Sequence, residues 1–393
     1  MKKLIAWMFA VFSCLAAVPA QAFDTTIPGL DSRVSLSGFG TLGFAVSDKN
    51  YRYQRFVDDD GTWKRDSIFG LQVDAKINDE FSVTVQGKVA PSLSSDNSIE
   101  PVLSWAFLSW RPTNDLQVRL GRLRLPVYLH SENMDVGATY DFARLPAEIY
   151  SSVPTTDVDG AGFSKAWDTE TGEFTLDGYV GTTATNYRYY RRDNEPLILQ
   201  QSGTYFVPVR QAAYGMRLSL RQGDDIYRAG IHDAYTRITD YQLMPSNFPY
   251  VPVAAGIGYY QTSNLMPGSG VKMVRSIHSL GYVLGADVGV GDGFRVTGEY
   301  VYRNVRNVTT GPDSMAGYIA VQKPIGAWTP YISVATLQSM SKTRNLYNKV
   351  NSSRVPVLNV TAAQINASQR AGADAVIAFD QTTIMLTVFR TGS

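Results

Sequence analysis

The sequence predicts an all-β fold, an antiparallel sheet rolled into a membrane-spanning barrel. Three observations carry this. Apolar and polar residues alternate with period two over long stretches, which gives each strand two unlike faces. The connections between those stretches alternate in length, short then long. The residues opposite the apolar rows carry too much charge to share a dry core.

At the N-terminus, Lys2 and Lys3 precede the apolar run Leu4 to Phe12 and the small-residue triplet Ala20-Gln21-Ala22. This is the three-part pattern of an export signal, so residues 1–22 are expected to be removed by cleavage before Phe23, leaving a barrel over 23–393. The apolar run is too short to span a bilayer. Cys14, the only cysteine, lies inside this segment; lipidation there would want a small residue at position 12, where Phe12 stands. A mature chain without cysteine has neither disulfides nor thiolate metal sites. Removing Lys2 and Lys3 from 36 basic residues leaves 34 against 35 acidic ones, so there is no basic field for nucleic acid. No later run of about eighteen apolar residues offers a helical anchor.

The first strand sets Val34, Leu36, Leu42, Phe44 and Val46 against Arg33, Ser35, Ser37 and Thr41. Next, Phe69, Leu71, Val73, Ala75 and Ile77 alternate with Gly70, Gln72, Asp74 and Lys76. Phe81, Val83, Val85 and Val89 then alternate with Ser82, Thr84, Gln86 and Lys88, after the tight Asn78-Asp79 turn. The same reading places strands at 102–112, 114–125, 160–168, 172–183, 212–222, 224–238, 276–290, 293–306, 314–323, 327–340 and 375–389, about fourteen in all. Turn formers fill the short connections, while long ones run at 48–65, 91–101, 126–159, 184–211, 239–275, 307–313 and 341–374.

Short turns at one rim and long loops at the other are the topology of a transmembrane β-barrel. Lipid demands closure, because every backbone polar group in hydrocarbon needs an internal partner. A soluble sandwich would also satisfy alternation, with the apolar row inside. Strand length decides: ten to fourteen residues exceed the soluble norm and match a tilted crossing. Trp105, Trp110, Trp167, Tyr179, Tyr282, Tyr300, Tyr302 and Trp328 are read as aromatic girdles at the headgroups.

The third long connection, about 126–159, is expected to fold inward and narrow the lumen. It follows Arg119, Arg122 and Arg124, and a bulge at Gly121 would turn all three toward water with Val118, Leu120, Leu123 and Leu125 toward lipid. The loop then offers Glu132, Asp135, Asp141 and Glu148, with His130 and Arg144 as counterweights. Opposite charges facing across a constriction set up a transverse field that orients polar solutes. The expected pore residues are therefore Arg119, Arg122, Arg124, His130, Glu132, Asp135, Asp141, Arg144 and Glu148.

The Ala20-Gln21-Ala22 signal, the strand Leu36-Ser-Gly-Phe-Gly-Thr-Leu-Gly-Phe44 and the segment Leu120-Gly-Arg-Leu-Arg-Leu-Pro126 resemble the Gram-negative outer-membrane porin superfamily, of the general trimeric type. The resemblance implies sixteen strands, a homotrimer in outer-membrane lipid and lipopolysaccharide, and passive diffusion of small hydrophilic solutes and ions. It also implies a third loop folded against a basic wall, with Arg119, Arg122 and Arg124 as the wall and Glu132, Asp135 and Glu148 as its acidic counterparts. The chain departs from the pattern in ending Val388-Phe389-Arg390-Thr391-Gly392-Ser393 and not on an aromatic residue. With the strand count two short of sixteen, truncation at the C-terminus is the expected reason; closure with fourteen strands is the alternative.

An enzyme is not expected. The histidines His130, His232 and His278 lack a nucleophile–base setting, and no metal or cofactor motif is present. The Asp58-Asp59-Asp60-Gly61 run and the Asp157/Asp159 pair lack calcium-loop spacing. The triplets at Asn307, Asn351, Asn359 and Asn366 are read as incidental loop composition. A rival class is an adhesin or receptor binding a partner through Phe248-Pro249-Tyr250-Val251-Pro252 and Tyr259-Tyr260 in the 239–275 loop; the same loop could instead cover the barrel mouth.

Overall fold

A computed structural model of the chain describes residues 21–26, 33–48, 50, 57–96, 98–151, 157–191, 194, 199–240, 242–376 and 381–390. Of the expected export signal, residues 1–20, including Cys14, lie outside these residues, as do positions 152–156 of the third loop and the last three residues.

One antiparallel sheet dominates. Its strands are β1 (Gln21–Thr26), β2 (Val34–Thr41), β3 (Ile68–Lys76), β4 (Phe81–Pro91), β5 (Ile99–Thr113), β6 (Leu116–Arg124), β7 (Asp157–Thr169), β8 (Gly172–Arg191), β9 (Gly203–Gln222) and β10 (Asp225–Ile238). Within the next loop lie β11 (Met244–Pro245), β12 (Tyr250–Ala254), β13 (Ile257–Tyr260) and β14 (Met273–Val274), which form two small hairpin-like pairs. The main sheet resumes with β15 (Ile277–Gly291), β16 (Phe294–Val305), β17 (Ser314–Gln322), β18 (Trp328–Ser339) and β19 (Gln381–Arg390). Each main-sheet strand pairs with its sequence neighbours, fifteen strands in order from β1 to β19.

Every strand expected from the sequence has a counterpart, with three corrections. The strand expected over 375–389 is described from Gln381, and the connection expected as a loop over 341–374 holds α2 (Ser341–Ser352) and α3 (Val360–Asp374). The loop expected at 184–211 is shorter, since β8 and β9 run on together to Arg191 and Gly203. Closure is the third. Among the described residues β1 and β19 do not pair. With fifteen alternating strands the first and last run the same way, so antiparallel pairing between them is not available while β1 holds the free edge of β2. Gln21 and Ala22 of β1 fall in the segment read as export signal.

The faces of the sheet differ as the sequence requires. On β9, Tyr214, Met216 and Leu218 are exposed, while Gly215 and Arg217 between them are buried. Leu71, Val180, Leu284 and Ile319 stand exposed on the same outward face as their partners. A soluble protein rarely shows apolar surface so continuous, whereas lipid requires it. The inward face of β3 and β4 is a polar network: Gln72 donates to Asp74 (2.7 Å), Thr84 to Asp74 (2.6 Å) and Gln86 to Gln72 (2.8 Å). Trp110, Trp167, Tyr282, Tyr300 and Trp328 are exposed. Trp105 and Tyr179 are not girdle residues: Trp105 stands opposite the inward Gln86, and Tyr179 is buried against His232.

Candidate functional site

The segment after β6 leaves the strand at Leu125 and packs on the inward face of the far strands. Leu125, Val127, Tyr128, Phe142, Ile149 and Tyr150 form one cluster with Val283, Val301, Ala316, Tyr318, Ala320, Tyr331 and Ala335 of β15 to β18. The short α1 (Ala147–Tyr150) lies at its centre, with Ile149 fully buried. Alternate inward positions on the receiving strands are small, so the backbone and Leu129 come close: a Cβ at Gly285 would sit 3.0 Å from the Leu129 side chain.

Polar contacts fix the far end. Glu299 on β16 accepts hydrogen bonds from Leu129 N–H (2.8 Å), Tyr150 Oη (2.6 Å) and Tyr318 Oη (3.0 Å). Arg228 on β10 donates to the carbonyls of Leu129 (2.6 Å) and Tyr128 (3.3 Å). Ala143 N–H donates to Tyr331 Oη (3.1 Å). Thr383 on β19 donates to Glu148, which is buried.

The near end is ionic. Arg124, with its side chain 2% exposed, contacts Asp135 and Asp157 at 2.8 Å each, and Asp135 also receives Lys88 of β4 at 2.6 Å. Burial pushes the Asp135 carboxyl up, but Arg124 and Lys88 outweigh it and hold the pKa at about 2. Glu132 lies 3.2 Å from Arg217, itself bound to Asp177 at 2.7 Å, and 3.9 Å from Arg119. Its carboxyl, raised by its crowded surroundings, is lowered on balance by Arg217, Arg228 and Arg119. Even so, Glu132 and Arg119 remain 39% and 36% exposed.

His130 is seated differently from a counterweight. Its ring packs against Tyr140 and Phe142, and burial followed by the Arg228 charge pushes its pKa down to about 4. Asp141 is raised by burial and by Asp287, with Arg295 opposing. Arg144 reaches Asp66, before β3, at 3.5 Å.

The expected arginine wall needs correction at its middle member. Gly121 has φ +132°, and a Cβ there would lie 2.3 Å from Ala106 O, so only glycine fits. Yet the pairing of β6 with β5 and β7 passes through Gly121 without a shift of register. No extra residue is inserted, and alternation keeps Arg122 on the row of Leu120, which is 54% exposed. Arg122 forms a two-pronged pair with Asp159 (2.8 and 2.9 Å) away from the loop acids. Arg119 faces inward, and Arg124 reaches the loop beyond the last β5 pairing at Arg122. The facing charges are also closer than expected: Glu132 and Asp135 touch their cations, and Glu148 and Asp141 face the far wall.

Sequence reasoning named charges on the loop and on β6, and missed the receiving side: Glu299, Tyr318, Tyr331, Arg228 and Arg217 as loop anchors. Their signal was the inward row Ser314, Ala316, Tyr318, Ala320, where small residues alternate with one hydroxyl-bearing ring. The aromatic 239–275 loop is partly consumed by the chain's own fold. Phe248 packs with Val350, Ala373 and Val376, and Tyr259 with Val355 and Ile365 of the β18–β19 connection. Among the described residues no group of three or more His, Cys, Asp or Glu is placed to hold a metal ion.

No protein-family model matches the sequence, and no curated protein matches it. Solved structures to which the chain is similar include the outer-membrane-expressed OmpT of Vibrio cholerae, at 11% identity over 91% of this chain and 97% of that one, TM-score 0.39. OmpF of Salmonella typhi in complex with daunomycin gives 10% identity, 93% and 99% coverage and TM-score 0.39. An anion-selective porin from Comamonas acidovorans gives 12% identity, 78% and 89% coverage and TM-score 0.32. In its fold the chain is similar to outer-membrane β-barrels, porins among them.

Proposed function

We propose that the chain is a porin of the bacterial outer membrane: a water-filled channel for passive diffusion of small hydrophilic solutes and ions, and not an enzyme. The observation that carries this is the segment from Leu125 to Tyr150, tied to β6 and β4 at one end and to β16 through β19 at the other, with solvent-open Arg119 and Glu132 at its flank. A loop crossing the lumen narrows it without sealing it, and ionic groups at the narrowing tune which solutes pass. Catalysis finds little support: His232 bonds to Tyr179 on the inward face and His278 to Asp233 on the outward face, so these two cannot share a site.

On this reading the constriction consists of Arg119, Arg124, Glu132 and Asp135, extended by Lys88, Arg217 and Arg228; Arg122 contributes nothing to it. Cleavage before Phe23 delivers the mature chain, and a homotrimer is the expected assembly. Liposome swelling tests the function. Vesicles holding the purified protein are expected to swell in small sugars, at rates that fall steeply with sugar size. Swelling no faster than in empty vesicles would exclude the channel. For selectivity, Arg119→Ala is expected to move the reversal potential in a salt gradient toward cations, and Arg122→Ala to leave it unchanged.

A further inference from the structure

At the short-turn end of β2 to β5 the inward face holds a hollow of about 380 Å³, with no residue of 125–159 in its wall. Strand pairing builds it. Ser35 stands opposite Asp74, Lys76 opposite Ser82, and Ser82 opposite Ser109. Arg33 lies just before β2, where its carbonyl accepts from Lys76 N–H (2.7 Å), and Arg111 lies on β5, where its backbone N–H donates to Glu80 O (2.7 Å). Three strand spacings separate the two arginines, about 14 Å, and both line the hollow. Small-molecule sites start at about 300 Å³, so there is room for one small solute and not for a polymer.

The charges in this wall are unevenly engaged. Lys76 is held by Asp79 at 3.0 Å, Glu80 accepts from Trp110 Nε1 (3.2 Å), and Asp74 already receives Thr84 and Gln72. Among the described residues the Arg33 and Arg111 guanidiniums have no ion-pair or hydrogen-bond partner, and both side chains are exposed. The hydroxyls of Ser35 and Ser82 are likewise without a partner among the described residues. A planar guanidinium fork matches the two oxygens of a carboxylate, and a free serine hydroxyl both donates and accepts. Asp74, Asp79 and Glu80 in the same wall oppose a ligand of high negative charge. One carboxylate on a small polyhydroxylated body satisfies all three conditions.

We propose that this hollow binds a small hydroxylated monocarboxylate, with its carboxylate shared by Arg33 and Arg111 and its hydroxyls met by Ser35 and Ser82. The site names a solute class for the proposed channel, and rests on that reading in lying on the solute's path. Isothermal calorimetry of the full chain in detergent, titrated with sodium gluconate, tests it. One gluconate per chain is expected, and R33Q/R111Q is expected to weaken its affinity at least tenfold. Glucose is expected not to bind, and acetate to bind at least tenfold more weakly than gluconate. Equal affinity of wild type and variant overturns the arginine assignment, and binding of glucose overturns the role of the carboxylate. Acetate bound as tightly as gluconate overturns the hydroxyl contacts in favour of a plain anion site. Should the double variant fail to fold, R111Q alone reads the same comparison, with at least a threefold loss expected and no loss overturning the site. Conductance recorded in parallel separates the two readings: wild type that binds gluconate without conducting contradicts the channel alone, and wild type that conducts without binding gluconate contradicts this site alone.

Discussion

In the proposed channel Glu299 latches the segment that follows β6, and its removal has a calculable consequence. Glu299→Ala strips the acceptor from Leu129 N–H, Tyr150 Oη and Tyr318 Oη. All three donors lie in buried surroundings, where an orphaned hydrogen-bonding group costs about 1 to 2 kcal/mol. The loss is therefore roughly 3 to 6 kcal/mol, shared between loop docking and the barrel wall. At about 1.4 kcal/mol per factor of ten, undocked loop becomes on the order of a hundredfold or more commoner. Tyr150→Phe removes one of the three bonds and is expected to cost about 1 kcal/mol. Single-channel recording reads both: open-channel noise and mean conductance rise slightly for Tyr150→Phe and strongly for Glu299→Ala. Traces from Glu299→Ala that match wild type, in a protein of unchanged thermal stability, would refute the latch.

Further predictions follow from the ionic end, the histidine and the cap. Arg124→Ala breaks a buried pair and leaves Asp157 and Asp135 short of a cation, at a cost of about 3–5 kcal/mol read by thermal unfolding in detergent; an unchanged melting temperature would contradict the buried geometry. His130 has a folded pKa of about 4 against 6.5 when free, so it resists protonation while the loop is docked. Its stabilising effect is whole above pH 6.5 and is lost as pH falls toward 4, on the order of 3 kcal/mol at the limit. Asp135, held at about 2 against 3.8, keeps its effect above pH 3.8 and loses it as pH falls toward 2. Channel noise is therefore expected to rise in two acid steps, with His130→Phe abolishing only the first; a single step common to both proteins would contradict the assignment. Asn359 caps α3 by accepting from Ala362 N–H at 2.9 Å, so Asn359→Ala should destabilise that helix by about 1 kcal/mol. Hydrogen exchange over 360–374 checks this, and unchanged exchange there would refute the cap.

Strand existence was legible because period-two alternation is imposed on each strand separately by lipid on one side and water on the other. Leu71 beside Gln72 and Met216 beside Arg217 report the faces without any knowledge of neighbours. The helices over 341–374 were not legible in that way, since they pack on Phe248 and Tyr259 of the 239–275 loop. Their signals were local ones: Asn359 as a cap and the alanine-rich run behind it, where the triplet was read as incidental. Arg122 failed for a related reason. A glycine in a strand marks either an inserted residue or a close approach of backbones, and only the partner strand distinguishes them. Here Ala106 O lies against Gly121 while the register continues, so the two readings put Arg122 on opposite faces. The loop's receiving wall was hidden because Glu299 and Tyr318 are brought to Tyr150 by the barrel's curvature, which no single strand encodes.

Adjacent residues on β6 offer the sharpest test of the whole account, since Arg119 faces inward and Leu120 outward. In a chain that begins at Phe23, as the proposed cleavage would leave it and without Cys14, Arg119→Cys and Leu120→Cys are each reconstituted in a planar bilayer and exposed to a charged, membrane-impermeant thiol reagent. Stepwise conductance is expected from both, with a sudden change in current as the Arg119→Cys thiol reacts and no reaction of the Leu120→Cys thiol. No conductance from either protein, or equal reaction at the two positions, would contradict it.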